Sequence, residues 1–496
     1  MHELTLAFGR LMTPEIFGCM ALGTTLGIIV GAIPGLTGAM LIALTLPLTF
    51  TMEPEPAMVL LVSMYVGSVS GGLITATLLR MPGTPASMMT TLDGYPMAQS
   101  GRPGRALGLG ITASLVGGLI SWCFLVMLAG PIARWSTTFG PFGFFSLVMV
   151  ALVLIASVSG RSLLLGVFSG MLGILLTMPG VSPSTGRLRW TFDFAELNGG
   201  LQLLPVLIGL FAVSKIIDDM LRIDERLSPT PMSRRGMFMT FSEWKQNGAN
   251  LIRSSLIGTW IGILPGIGAN IGSVMAYSAA RNLSKTPERF GQGAEEGVIA
   301  SEAANNATVG GALIPLVSMG IPGSVIDAIL LGALVVHGLQ PGPRLMIDHP
   351  DVVHTIMATM LVANLFMAVA MIAAVGWLAK LMVIPRAFLV PVILVFCVVG
   401  SYGLSNRMFD VWVMLAFGAI GFAMERMRIP LAPLVIGFVL APIAEENLAS
   451  GLMLSGGSYL PIVTRPVSAL FFAVSMALLI WPFARKMKRS KKPPEA

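Results

Sequence analysis

Residues 301–333, SEAANNATVGGALIPLVSMGIPGSVIDAILLGA, restrict what this chain can become more than any other stretch. They lie deep in apolar sequence. Yet they carry two acids (Glu302, Asp327), adjacent amides (Asn305, Asn306), a glycine pair (Gly310, Gly311) and a Pro322-Gly323 break. Lipid offers no water to such groups, so they must face protein or a water-filled cavity. A helix interrupted by Pro-Gly at membrane depth frees backbone N–H and C=O groups that can hold an ion or a substrate. Discontinuous helices of this kind build the midplane sites of secondary transporters.

The rest of the chain supports a membrane setting. Of 496 residues, 55% are hydrophobic and 11% charged, with a mean hydropathy of +0.82, whereas a soluble domain carries roughly 25% charged residues. The fold class expected is all-α, a polytopic membrane protein of about a dozen helical segments at ~20 residues per crossing. The apolar runs are continuous rather than alternating, which excludes a β-barrel. Much of the net charge of +7 sits in the tail Arg485, Lys486, Lys488, Arg489, Lys491, Lys492. That pattern reads as a cytoplasmic anchor beside anionic lipid and not as a nucleic-acid surface. Cys19, Cys123 and Cys397 lie far apart in apolar runs and read as small hydrophobes. The first sixteen residues lack the pattern of a cleavable signal, so the first helix is expected to remain.

Two halves are expected. Residues 1–225 form a first transmembrane half, 226–250 a polar linker with an interfacial helix over 238–250, 251–484 a second transmembrane half, and 485–496 a basic cytoplasmic tail. The halves resemble each other. GIIVGAIPGL (27–36) and GTWIGILPGI (258–267) share G-x-x-x-G-x-x-P-G-[L/I]. Gly71-Gly72 precedes Pro82-Gly83-Thr84 as Gly310-Gly311 precedes Pro322-Gly323-Ser324, with one extra residue in the second half. Four breaks in matched order point to Pro-Gly-broken helices or re-entrant hairpins in two repeats, expected to be inverted, with a site at their interface.

The strings GAIPGLTGAM, MPGTPASMMTTLDGYPMAQSG and SKTPERFGQGAEEGVIASEAANNATVGGALIPLVSMGIPGS resemble the large membrane subunit of tripartite tricarboxylate transporters, the TctA family. The resemblance covers nearly the whole chain and is densest at 27–110 and 258–345. It implies a permease working with a small four-helix membrane subunit and a periplasmic solute-binding protein that delivers an organic carboxylate. It also implies a bacterial inner membrane and uptake driven by a cation gradient. No cofactor is expected beyond a coupling ion, suspected to be Na⁺, and a homodimer is compatible with the pattern.

An organic anion suits helix N-termini and nearby hydroxyl donors. Pro34, Gly35, Leu36 and Thr37, then Gly83, Thr84 and Ser87 (with Thr90 and Thr91), Gly266, Gly268 and Asn270, and Gly323 and Ser324 are therefore expected to line a carboxylate pocket. The alternative is that they satisfy broken backbone and nothing more. Asn305, Asn306 and Glu302 are expected to hold Na⁺. The asparagines serve equally as interhelical hydrogen-bonding groups, and proton coupling through Glu302 or Asp327 is the rival reading. Arg80 is the basic residue nearest a break. Asp93-Gly94-Tyr95-Pro96 reads as a turn, either structural or docking a partner, and 284–296 as an exposed loop. Gly291-x-Gly293 is not a dinucleotide motif, because no strand precedes it. There is no Walker A sequence, no assignable Ser–His–acid set, and no Cys or acid at ligand spacing around His349 and His354. A permease is thus favoured over an enzyme. A passive channel, which also tolerates broken helices, is the remaining class.

Overall fold

A computed structural model describes residues 2–158, 162–221, 230–381 and 384–490. The linker residues Arg222, Asp224, Glu225, Arg226 and Pro229 and the tail residues Lys491 and Lys492 lie outside the described residues. The chain is all-helical apart from a two-stranded antiparallel pair, Gly180–Val181 with Leu188–Arg189. It is a polytopic membrane protein. Among the described residues, seven helices are long and apolar enough to cross a bilayer.

The first half opens with α1 (His2–Leu11) and α2 (Pro14–Gly31), which stops at the first Pro-Gly. A short helix α3 (Gly38–Thr45) leads back to α4 (Pro54–Leu79). Then come α5 (Thr90–Gln99) and α6 (Pro103–Ser136). The second half repeats this order with α11 (Phe241–Ile263), α12 (Gly268–Leu283), α13 (Glu295–Met319), α14 (Val325–Val336), the short α15 (Pro343–Asp348) and α16 (Pro350–Leu381). Between the repeats lie α7 (Gly140–Val158), α8 (Leu163–Leu176) and a helix running α9 (Leu203–Ile208), a π turn (Gly209–Val213) and α10 (Ser214–Met220). After the second repeat come α17 (Arg386–Ser405), α18 (Met408–Arg426), α19 (Leu431–Leu454), α20 (Pro461–Thr464) and α21 (Pro466–Ser490).

Two sequence expectations are corrected here. The interfacial helix expected over 238–250 is the start of α11, one unbroken helix opened by a capping box between Thr240 and Glu243. The matched glycines also shift. Gly71 pairs with Gly311, and no residue is inserted. Each packs on the glycine three residues before the preceding Pro-Gly: Gly71 on Gly31 and Gly311 on Gly262. Gly83 then pairs with Gly323 at the same offset of 240 residues.

Glycine lets the broken helix of each half lie directly on the long helix that follows. A Cβ on Gly27 would stand 2.5 Å from the Met64 carbonyl oxygen, and one on Gly262 equally close to that of Thr308. Small residues permit this approach where lipid gives no hydrophobic drive between helices. Progressive contacts from Gly23 with Leu60 to Gly31 with Ser68 make α2 and α4 parallel, so α3 is a partial return.

Contacts between helices also fix how the repeats are related. α6 and α13 run parallel, joined at their starts by Arg105–Glu295 (2.7 Å) and near their ends by Ser136 Oγ–H to the Ser318 carbonyl (3.1 Å). α6 and α16 run antiparallel: Gly118 lies against Asn364, while Trp122 Nε1–H donates to the Met357 carbonyl (2.9 Å). α4 and α16 begin together, Thr355 Oγ1 donating to Glu55 at 2.5 Å. The start of α4 is therefore at the end of α13, and the matched helices point in opposite directions. The repeats are inverted.

Replacing Gly27 with Val is expected to lower the thermal midpoint of the detergent-solubilised protein by overpacking worth about 1–3 kcal/mol. Gly9→Val, where nothing lies within 4 Å, should move it much less. Equal shifts in a fluorescence-detected thermal scan would refute the packing role of Gly27.

Candidate functional site

Contacts across the interface pair the breaks of the two halves into two neighbouring pockets, linked where Gly83 packs on Gly31. In each, the chain turns back after a long helix through a residue in the left-handed region, Arg80 (φ 56°) after α4 and Gly320 (φ 70°) after α13. The re-entrant tip then meets the broken helix of the opposite half.

In the first pocket, residues 34–38 face residues 322–327. Thr37 caps α3, its hydroxyl accepting the Met40 N–H at 3.2 Å. Ser324 caps α14, accepting the Asp327 N–H at 3.3 Å, and its Oγ lies 3.3 Å from the Tyr65 hydroxyl of α4. A Cβ on Gly38 would meet Ser68 of α4 and Ile326 of α14, so two helix N-termini from opposite halves abut. Their partial positive charge suits an anion. Pro34, Leu36 and Gly323 are buried, and Gly35, Thr37 and Ser324 half-buried. Gly35 (φ +95°) lies against Lys215, whose ammonium pairs with Asp218 (3.2 Å) and Asp219 (3.1 Å). Asp327 is 0% exposed, and neither carboxylate oxygen has a well-formed hydrogen bond among the described residues.

The second pocket brings residues 83–90 against α12 and α13. Thr84 and Ser87, both buried, have their hydroxyls 3.0 Å apart beside Gly72, and Gly83 packs on Gly31 and Thr75. The short 3₁₀ turn over 85–88 packs on α12. Gly266 (φ +70°) abuts Ile155 of α7, Gly268 (φ +69°) has open space, and Asn270 is exposed on the first turn of α12. A polar chain runs along this interface. Thr90 donates to Glu302 at 2.5 Å, Ser114 donates to its other oxygen at 3.3 Å, Asn306 donates to Ser114 at 2.7 Å, and Ser70 donates to Asn306 at 2.7 Å. Glu302 and Asn306 are thus supplied with partners from α4, α5 and α6. Asn305 is supplied more thinly: it is 0% exposed, its side chain approaches Glu302, and among the described residues neither amide atom makes a well-formed hydrogen bond. A buried amide so poorly satisfied is costly.

The turn expected at 93–96 is wrong. Those residues lie inside α5, and Asp93 is fully buried. Its carboxylate accepts the N–H groups of Gly291 (2.8 Å), Gly293 (2.9 Å) and Ala294 (2.8 Å) and the Tyr277 hydroxyl (2.8 Å). Gly291 (φ +88°) and Gly293 (φ +100°) shape an amide nest at the start of α13. The G-x-G that fails as a nucleotide motif therefore cradles a carboxylate of the same chain and ties one half to the other. A helix-start pair of glycines was the available signal, but nothing local named Asp93 as its guest. Tyr65 and Ser114, embedded in apolar helices, gave no signal. A cavity of about 520 Å³ lined by Arg134, His354 and Met357 lies near the end of α6 and includes none of the break residues.

The fold and its paired break pockets define an inverted-repeat helical membrane protein with sites at the repeat interface. The profile described as "Tripartite tricarboxylate transporter TctA family" matches residues 17–436, and the chain belongs to this family of transporter permeases. It is 34% identical over 481 residues (97% of this chain, 95% of the relative) to an Agrobacterium vitis protein described as an uncharacterized 52.8 kDa protein in the TAR-I ttuC' 3' region. A second Agrobacterium vitis protein, from the TAR-II ttuC' 3' region, is 36% identical over 223 residues (45% of this chain, 92% of the relative). No solved structure matches.

Asp93→Ala would strand three N–H donors and a phenol. It is expected to destabilise the protein by about 3–5 kcal/mol, the scale of breaking a buried charged network. Tyr277→Phe should cost about 1 kcal/mol. Thermal unfolding in detergent checks the ranking, and an Asp93→Ala midpoint no lower than that of Tyr277→Phe would refute the tether.

Proposed function

We propose that this chain is the permease of a binding-protein-dependent secondary transporter that imports a small organic carboxylate together with a monovalent cation, Na⁺ in the first instance. The observation that carries the reading is the pairing of helix N-termini from opposite halves beside buried polar side chains. Helix ends hold carboxylates without a fixed cationic side chain. Inverted repeats let such a site open alternately to the two membrane faces. Family membership supports the partners, a small membrane subunit and a solute-binding protein.

In this reading Thr37, Ser324 and the backbone of Pro34, Gly35, Leu36 and Gly323 receive the carboxylate in the first pocket. Thr84, Ser87, Gly83, Gly266, Gly268 and Asn270 form the second. Asn305 supplies an oxygen ligand to Na⁺, with Asn306 and Glu302 as the supporting shell. Proton coupling is the second reading, favoured by the buried carboxylate of Asp327, which has no well-formed hydrogen bond among the described residues. The chain carries out no chemical conversion. The membrane is the bacterial inner membrane. Arg80, Arg102, Arg105, Arg234, Arg235 and Lys245 gather at the end where α4 finishes and α6 and α11 begin, so that face is cytoplasmic by the bias of basic residues. α21 starts at the opposite face, Ser468 bonded to Ser146 of α7 at 2.9 Å, and carries the C-terminus to the cytoplasmic side.

The test is uptake into proteoliposomes holding the chain and its small partner, with and without the binding protein, under imposed Na⁺ or H⁺ gradients. Accumulation is expected only with binding protein and Na⁺. Accumulation under H⁺ alone would replace the coupling ion, and equilibration without accumulation would identify a channel. Asn305→Ala is expected to cut Na⁺-driven uptake about tenfold or more, the loss of one charge-assisted contact of ~1.4 kcal/mol, and to weaken Na⁺ dependence while leaving the protein in the membrane. Unchanged Na⁺ dependence would remove Asn305 from the ion site.

A further inference from the structure

We propose that Asp327 is a binding site for a hard monovalent cation, a sodium ion or a proton, distinct from the Asn305 pocket and belonging to only one of the two inverted halves. The proposal rests on the permease reading above and assigns its coupling site.

Three observations carry it. Asp327 sits in the first turn of α14 with no exposed surface, and among the described residues its carboxylate is approached by the hydroxyl and backbone N–H of Ser324 and by its own N–H, none of them a well-formed hydrogen bond. A buried carboxylate so thinly supplied, with no cationic partner, is disfavoured unless a cation or a proton joins it. Hydroxyl oxygens lie close by: Ser324 Oγ caps the same turn, and the Tyr65 hydroxyl lies 3.3 Å from that Oγ. Carboxylate, hydroxyl and carbonyl oxygens are the ligands hard cations prefer.

Lys215, which lies against Gly35 in the same pocket, is paired with Asp218 and Asp219 and does not compete. α14 packs mainly against α3, α4, α9, α13 and α19. α3 and α9 carry no ionisable side chain. α4 presents Tyr65, and its Glu55 is bound to Thr355 at the far end. On α13, Glu302 is engaged by Thr90 and Ser114, while Glu295 pairs with Arg105. On α19, Glu445 pairs with Arg189, and Glu446 lies one residue further along. Among the described residues no Lys, Arg or His reaches Asp327.

The third observation is the broken symmetry. At the repeat offset of 240 residues, Asp327 corresponds to Ser87 and Tyr65 to Asn305. The same fold thus presents a buried carboxylate in one pocket and a buried neutral amide in the other, neither with a well-formed hydrogen bond among the described residues. The consequence for transport is electrostatic. A carboxylate without a cationic partner in the first turn of α14 opposes an anion held at the ends of α3 and α14, and a bound cation removes that opposition. Cation and carboxylate substrate then strengthen each other's binding by the same factor, as linkage requires.

The experiment uses the purified full-length chain in detergent, without substrate. It follows the thermal midpoint against Na⁺ (choline as the replacement) and against pH, together with radioactive sodium binding. If the ion is sodium, the wild-type midpoint rises with Na⁺, Asp327→Asn abolishes the rise and the bound sodium, and Tyr65→Phe weakens apparent Na⁺ affinity several-fold. If it is a proton, the wild-type midpoint rises as the medium is acidified and ignores Na⁺, because protonation relieves the buried charge. Asp327→Asn, which mimics the neutral form, then flattens the pH response. Tyr65→Phe retains the carboxylate and serves if Asp327→Asn fails to fold. The proposal is overturned if the wild type responds to neither variable, or if Asp327→Asn responds as the wild type does. Because no substrate is present, an intact Asp327-dependent cation response alongside failed carboxylate uptake would count against the permease reading alone.

Discussion

Inside a bilayer a free peptide group has no water to turn to, and this molecule is arranged around that scarcity. Every Pro-Gly break exposes backbone donors and acceptors, and each is placed where other protein can receive it. Gly27, Gly31, Gly67 and Gly71 bring α2 onto α4 until backbones touch, and Gly258, Gly262 and Gly311 do the same for α11 on α13. Pro34 and Gly323 are consequently buried and turned toward the opposite half, while Pro82 and Asn270 stay exposed. Broken helices and glycine seams are one device, since a break without the seam would open onto hydrocarbon.

The inverted arrangement gives each half's broken helix to the other half's re-entrant tip. Such exchange fastens the halves reciprocally, and the fastening has its own chemistry. Arg105 with Glu243 and Glu295, and Asp93 in the amide nest before α13, hold one face. Arg10 and Thr355 on Glu55 hold the other. Glu55 and Glu295 are equivalent first-turn acids of α4 and α13, so the same helix-start charge is used twice with different partners. The symmetry is one of backbone. Side chains at equivalent positions of the two pockets differ, Tyr65 against Asn305 and Ser87 against Asp327.

Much of the architecture was legible because its cause is local or periodic. Hydrophobic runs of crossing length, the repeated G-x-x-x-G-x-x-P-G-[L/I] and the two Pro-Gly-[Thr/Ser] breaks define helices, interruptions and repeats without any tertiary information. Site residues were legible as types. Glu302, Asn305, Asn306 and Asp327 are conspicuous in apolar sequence, but sequence treats Asn305 and Asn306 alike. One residue of helical rotation, about 100°, turns Asn306 to Ser70 and Ser114 and leaves Asn305 with no well-formed hydrogen bond among the described residues. Glu302 and Asp327 divide the same way, one bonded across helices and the other approached only from its own helix start.

The sequence by itself determined that this chain lives in a membrane, folds as two broken-helix repeats and belongs with tricarboxylate-transporter permeases, because those properties follow from hydropathy, Pro-Gly chemistry and motif strings that are local to the chain. The tertiary structure alone decided that the repeats are antiparallel, that four breaks make two pockets, and that Asp93 is a structural tether. Those outcomes depend on which helix faces which across as many as 200 residues of chain, and no local pattern encodes the partner of a buried polar group.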